Sequence, residues 1–252
     1  MKLTETAQRN YELLFANHSS RLDDTDPELL EVFANFTFGE AMSHGHLAMR
    51  TRLMVILAAL VARHALSEYR VMLHSALNAG VTPVEVKEII YHSIPYAGSA
   101  FVFDFVHATN ELFVKRGIEP LQAAQSTTDQ ETRFDQGLAV QQQLFGEAIG
   151  QLYQQSPPEQ LHIQRYLSAN CFGDYYTRGG LPLELRELLT FVMLLSLGGC
   201  EPQLRAHIAA NARLGNSKQT MLDALTQVLP YVGYPRALNA LTCLNEVLPD
   251  EQ

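Results

Sequence analysis

The chain repeats itself, and this constrains its fold more than any other feature. Pro95-Tyr96-Ala97-Gly98 returns 135 positions later as Pro230-Tyr231-Val232-Gly233. Gly80, just ahead of a helix start, has Gly215 at the same offset. Further upstream the offset is 134: Phe38-Gly39-Glu40 matches Phe172-Gly173-Asp174, and Leu47 matches Leu181. The second copy has therefore gained one residue between Arg63 and Gly199, which reads as a turn of different length. Whatever unit one copy folds into, the other should fold into as well. We place the copies at 1–118 and 132–252, joined by a polar linker, Glu119–Glu131.

Each copy reads as helices. Thr51–Ala62 and Pro182–Leu197 are apolar nearly all round, which predicts buried helices rather than surface ones. Pro182 suits a first helical position. Ser67–Ala79 should stop at Gly80. Thr82-Pro83-Val84-Glu85 is a helix-start signature, and Ser217–Leu229 begins by the same logic. Pro95 and Pro230 are expected to end these helices. Ala97–Arg116 and Tyr234–Val247 should form the last long helix of each copy. The leading helices are expected to be broken at Asp24–Pro27 and at Pro157-Pro158. No period-two run of useful length appears, so the predicted fold class is all-α.

Composition bounds the function. The net charge of −9, with no lysine- or arginine-rich run, argues against a nucleic-acid partner. The longest apolar run, Leu188 to Leu197, is about half of the roughly 20 residues a bilayer crossing needs, so no membrane span is expected. The N-terminus lacks the apolar core of a signal peptide, which leads to the expectation of a cytoplasmic protein. Three cysteines, Cys171, Cys200 and Cys243, are too few for a disulfide framework.

Chemistry-bearing residues gather in the second copy. Arg186 and Glu187 lie in the first turn of a very apolar helix. An acid there can serve the helix dipole and an arginine can snorkel. Alternatively, the arginine holds a substrate carboxylate while Glu187 orients a histidine or moves a proton. His207 lies on the inward side of the next helix, where a histidine is either a bonded core residue or a proton shuttle. Cys200 sits at a helix start, a position that favours thiolate, although a small buried hydrophobe is the alternative. Within one helix Cys200 would stand about 10 Å from His207 along the axis, too far for a direct bond. Cys171 could approach Cys200 in space, and Cys243 reads as core. The first copy has Arg52, Leu53, Met72 and Thr37 at the positions of Arg186, Glu187, His207 and Cys171. No His-x-x-x-His or Cys-x-x-Cys pair, phosphate loop or dinucleotide fingerprint occurs, so neither a metal nor a cofactor is expected.

With these residues in view, the chain resembles the carboxymuconolactone decarboxylase family, whose superfamily includes alkylhydroperoxidase D. The resemblance rests on Leu181–Leu189, Glu201–His207 and Pro230–Leu241 in the second copy. In the first copy it rests on Arg52, Leu77–Pro83 and Pro95–Gly98. It implies a tandem duplication of an alkylhydroperoxidase D-like helical bundle. It also implies a homo-oligomer, here a trimer of pseudo-dimers, and a small-molecule substrate. On the decarboxylase branch, Arg186, Glu187 and His207 would act without cofactor on a carboxylated lactone or ring, with Gln203 and Tyr231 completing the substrate contacts. On the peroxidase branch, Cys200 falls on the first cysteine of a Cys-x-x-Cys motif and His207 on its histidine, with Glu187 close to the relay acid. Gln203 replaces the second cysteine of that motif, so a peroxidase would need Cys171 as the resolving thiol. A non-catalytic oligomeric scaffold is the third reading.

Overall fold

The computed structural model describes residues 2–15 and 22–249. The first copy comprises α1 (Glu5–Phe15), α2 (Leu22–Thr25), α3 (Pro27–Ala34), a π-helical turn (Asn35–Glu40), α4 (Met49–Ala62), α5 (Leu66–Asn78), α6 (Pro83–Ala97) and α7 (Ser99–Lys115). The second comprises α8 (Arg133–Phe145), α9 (Ala148–Gln155), α10 (Leu161–Tyr166), a π-helical segment (Leu167–Tyr176), α11 (Leu183–Leu197), α12 (Glu201–Arg213), α13 (Lys218–Val232) and α14 (Tyr234–Val247). No strand occurs among the described residues. The fold is a tandem duplication of one all-α unit.

The two apolar helices form the centre. Every residue of α4 from Arg52 to Ala62, and of α11 from Arg186 to Ser196, is buried. They pack on each other, and the copies then exchange neighbours: α6 packs on α11, and α13 packs on α4. A single hydrophobic cluster therefore runs through both copies. Burying each large aliphatic side chain here contributes about 1.5–3 kcal/mol. No helix among the described residues is long and apolar enough to cross a membrane.

Three local expectations need correcting. Pro95 and Pro230 do not end their helices; α6 and α13 run through them to Gly98 and Gly233, at φ 84° and 82°. A proline in the last turn removes a single donor, and the left-handed glycine sets the stop. Pro182 is the residue before α11 rather than its first helical residue. The extra residue of the second copy does not lengthen the turn, because three residues connect α4 to α5 and three connect α11 to α12. It is absorbed at the end of α11. The pivot of that turn is Gly199 at φ 73° in one copy and His64 at φ 55° in the other, a positive φ that is unfavourable for a side chain.

The capping signature of α6 forms as expected. The Thr82 hydroxyl accepts from Glu85 N–H (3.3 Å), and the Glu85 carboxylate accepts from Thr82 N–H (2.8 Å). The linker is braced rather than free. Gln125 O accepts from Gly179 N–H (2.9 Å), and the Thr127 and Thr128 hydroxyls donate to Thr177 O and Gly173 O. Helix α8 lies against the π-helical segment, and glycine is required on both sides. A Cβ at Gly137 would stand 2.0 Å from Ser168 O, and one at Gly173 would stand 2.1 Å from Arg133 O.

Candidate active site

Arg186 and Glu187 are neighbours in sequence but lie about 100° apart around α11, and they serve different purposes. Glu187 faces α12. Its Oε1 pairs with His207 Nδ1, and its Oε2 accepts from the Tyr176 hydroxyl (2.9 Å). Glu187 is wholly buried, and the His207 side chain keeps only 10% of its surface exposed. Asn211, one turn beyond His207, donates to Glu187 O (2.9 Å) and His207 O (2.8 Å), fixing α12 against α11.

The π-helical segment delivers Tyr176 and Cys171. Hydrogen bonding of the i→i+5 type brings residues five apart towards one face, and such segments recur at functional sites. Both side chains are buried with Phe172, Leu144 and Ala210. Tyr176 also meets the Thr190 hydroxyl (2.7 Å) and the Tyr96 hydroxyl (2.7 Å). Tyr96 comes from α6 of the first copy, as does His92, whose Nε2 lies 2.9 Å from Thr190 Oγ1 and 3.1 Å from Arg186 O. His207 itself lies edge-on to Phe145 (5.2 Å) and to Tyr96 (6.2 Å between ring centroids).

Burial dominates the electrostatics. It pushes the Tyr176 and Tyr96 phenols well above their ordinary range, and the Glu187 carboxylate adds to this, so both remain donors. Cys171 is pushed to about 12 by burial, partly opposed by its hydrogen bond with Tyr96. His92 is held well below the usual histidine range, by burial first and the Arg186 charge second.

Arg186 faces the other way. It is wholly buried, and its Nη2 donates to Glu88 Oε2 (2.9 Å), Arg178 O (2.9 Å) and Gly179 O (2.7 Å). Glu88 also binds Arg178 through both its oxygens. Arg186 thus clasps the first copy through α6. Breaking a buried pair of this kind costs about 3–5 kcal/mol.

The remaining candidates lie elsewhere. Gln203 is exposed on α12, one turn before His207. Tyr231 stands at the equivalent place in the first copy, its hydroxyl 3.7 Å from the Met72 sulfur, and Tyr96 occupies the matching place beside His207. Cys200 precedes α12, and its thiol donates to Leu194 O (3.3 Å) at the far end of α11. Seven helical residues, about 10 Å, separate that level from Glu187. Its pKa is raised, not lowered. Burial is the larger cause, followed by the adjacent Glu201 carboxylate, and together they outweigh the helix start. Cys171 and Cys200 belong to different packing clusters, and all three cysteines are free thiols. Among the described residues no group of three or more metal-ligating side chains forms. A concavity of about 590 Å³ is lined by Gln142, Gln151, Gln154 and neighbours, and contains none of the residues above.

The sequence reading missed Tyr176, Thr190, Asn211, His92 and Tyr96. The first three carried a readable signal. Like Glu187 over Leu53 and His207 over Met72, they are polar where the aligned first-copy residue is apolar: Met42, Ile56 and Ala76. His92 and Tyr96 come from the other copy, and only the packing of α6 on α11 reveals them.

The sequence profile of the Carboxymuconolactone decarboxylase family matches twice, over residues 27–111 and 162–246, together more than half of the chain. A 4-carboxymuconolactone decarboxylase of Acinetobacter baylyi (strain ATCC 33305 / BD413 / ADP1) is 34% identical over 121 residues. The match spans 48% of this chain and 90% of that protein.

Proposed function

The chain belongs to the carboxymuconolactone decarboxylase family, and from that premise we propose that it is a cofactor-free decarboxylase-like enzyme, or a proton-transfer isomerase, acting on a small carboxylated lactone or ring. The observation that carries this reading is the buried Glu187–His207 pair, completed by Tyr176. A carboxylate can only accept, so the proton between the pair sits on Nδ1, and Nε2 is left to exchange a proton with substrate. In decarboxylation the bond to the departing carboxylate breaks and CO2 leaves. The electron pair enters the adjacent carbonyl as an enolate, and the His207 Nε2–H then protonates carbon. Glu187 stabilises the imidazolium before that transfer, and the low-dielectric surroundings strengthen the interaction.

The test uses the full chain and a panel of carboxylated lactones, followed by CO2 release and by solvent deuterium entering the product. His207→Ala and Glu187→Gln should each lower turnover about 10²–10⁴-fold, while Cys200→Ser should be tolerated. Wild-type turnover in His207→Ala would remove the assignment. The thiol-peroxidase alternative makes the opposite demand: peroxide should consume Cys200 and link it to Cys171, which their separate placement disfavours. The scaffold alternative is left standing if no panel member binds or turns over. The assembly we propose is a trimer of these fused pairs, and a monomeric mass by light scattering would rule it out.

A further inference from the structure

The hydroxyl protons around Tyr176 can be placed by elimination. A carboxylate and a backbone carbonyl only accept. The Tyr176 proton therefore goes to Glu187 Oε2 at 2.9 Å. The Tyr176 oxygen is then an acceptor for its two other neighbours, the hydroxyls of Tyr96 and Thr190, each at 2.7 Å. Thr190 has competing acceptors in Arg186 O at 3.0 Å and, at a longer 3.3 Å, the Tyr96 hydroxyl. His92 occupies that same carbonyl from 3.1 Å, so its Nε2 carries the proton, and it reaches Thr190 Oγ1 at 2.9 Å. Both arms that converge on Tyr176 thus begin on α6, where His92 and Tyr96 stand one helical turn apart.

We propose that Tyr96, carried by the first copy, is a positioning residue for His207 of the second: its hydroxyl donates to Tyr176 and so commits the Tyr176 proton to Glu187, the carboxylate that holds His207. Hydrogen bonds in a chain polarise one another. A Tyr176 hydroxyl that accepts from Tyr96 and Thr190 is a stronger donor to Glu187 than an isolated phenol. Removing an arm leaves the carboxylate charge less dispersed, and the imidazolium beside it is favoured. His92 supports the second arm by engaging the Arg186 carbonyl and leaving the Thr190 proton for Tyr176. The titratable groups around His207 are then Glu187 on α11, Tyr176 and Cys171 on the π-helical segment, and Tyr96 and His92 on α6. The catalytic meaning of this arrangement rests on the function proposed above; the arrangement itself does not.

The experiment follows the ring protons of His207 by NMR across pH in the full chain. Tyr176→Phe should raise the His207 midpoint relative to the unsubstituted protein by about one pH unit, and Tyr96→Phe should raise it by roughly 0.3. Tyr231→Phe is the matched control. It removes the symmetry-related hydroxyl, which meets Met72, and should leave the midpoint where it was. An unmoved midpoint in Tyr96→Phe overturns the proposal. An equal shift in Tyr231→Phe does the same, since the effect would then be one of general packing. These outcomes are independent of turnover: an active His207→Ala would refute the proposed chemistry and leave the titration result intact.

Discussion

The two copies present the same pocket of helices in two chemical states. Around His207 the chain places Glu187, Tyr176, Thr190 and Asn211, with His92 and Tyr96 arriving from the opposite copy. At the aligned positions of the first copy stand Met72, Leu53, Met42, Ile56 and Ala76, with Gln227 and Tyr231 arriving from the second. The backbone scheme is shared, down to the π-helical segments and the exchanged helices. One pocket holds a polar cluster and the other is packed with aliphatic side chains. A helical bundle therefore does not need this polar cluster in order to close. Its presence in one copy is no argument for stability, because a buried ionic group is poor evidence for it.

What both copies retain is the clasp. Arg186 meets Glu88, and Arg52 lies near Asp223, with each arginine and its acid drawn from opposite copies. The two clasps differ in how the charge is satisfied. Arg52 spends its guanidinium on the carbonyls of Leu47, His44 and Gly45 (2.6–2.9 Å), and Asp223 accepts from His46 N–H (2.7 Å) and Gln219 (2.7 Å). Glu88 carries two arginines directly and is 1% exposed. The largest expected effect follows from this difference. Glu88→Gln should cost about 3–5 kcal/mol by leaving Arg186 a buried charge without its partner. Asp223→Asn should cost about 1.5–3 kcal/mol, the range for hydrogen bonds to a charged group. Denaturant midpoints in the full chain decide it, and equal losses would show that the clasps are equivalent after all.

The second expectation converts one state into the other. Installing the first copy's residues together, Glu187→Leu with His207→Met and Tyr176→Met, should abolish turnover. Stability should be unchanged or raised by up to about 4 kcal/mol, since apolar replacement of a whole buried ionic group is neutral to stabilising. Glu187→Leu alone should destabilise by about 1–3 kcal/mol, because it strands the Tyr176 hydroxyl and the His207 Nδ1–H. A triple variant less stable than the single one would mean that the second pocket cannot adopt the first one's packing.

The duplication, the helix class and the caps were legible because they are local: a repeated motif, an apolar run, a threonine three residues before a glutamate. Glu187 and His207 were legible for the same reason, as charged and titratable residues inside greasy sequence. Arg186 was legible as unusual but not as a clasp, because its partner Glu88 lies 98 positions away on the other copy. Tyr231 was expected in the site on its motif, yet its twin Tyr96 is the residue that arrives there. The motif differs between the copies only in Ala97 against Val232, and sequence does not say which helix crosses to which pocket. The π-helical segments were invisible, since nothing in Leu167–Tyr176 distinguishes them from ordinary helix.

The smallest expected effect isolates His92 from its counterpart Gln227. Both donate a nitrogen-bound proton to carbonyl groups of the opposite copy, and each leaves its other heteroatom, Nδ1 or Oε1, without a protein partner. His92→Gln therefore repeats a solution the fold already contains, and near pH 7 it should shift stability by less than about 1 kcal/mol. Acid separates the two. Folded His92 is held well below its ordinary range, by burial and then by Arg186, while in the unfolded chain it titrates near 6.5. Below that pH the unfolded chain takes up a proton that the folded one refuses. The His92 contribution is thus fully present above about pH 6.5 and drains away on acidification, by up to about 1.4 kcal/mol per pH unit. Glutamine has no such proton to take. The variant should match the parent at pH 7 and exceed it at pH 5, as read from urea midpoints at the two values. Parallel losses in the two proteins would mean that His92 takes up its proton within the fold and contributes nothing to the acid sensitivity.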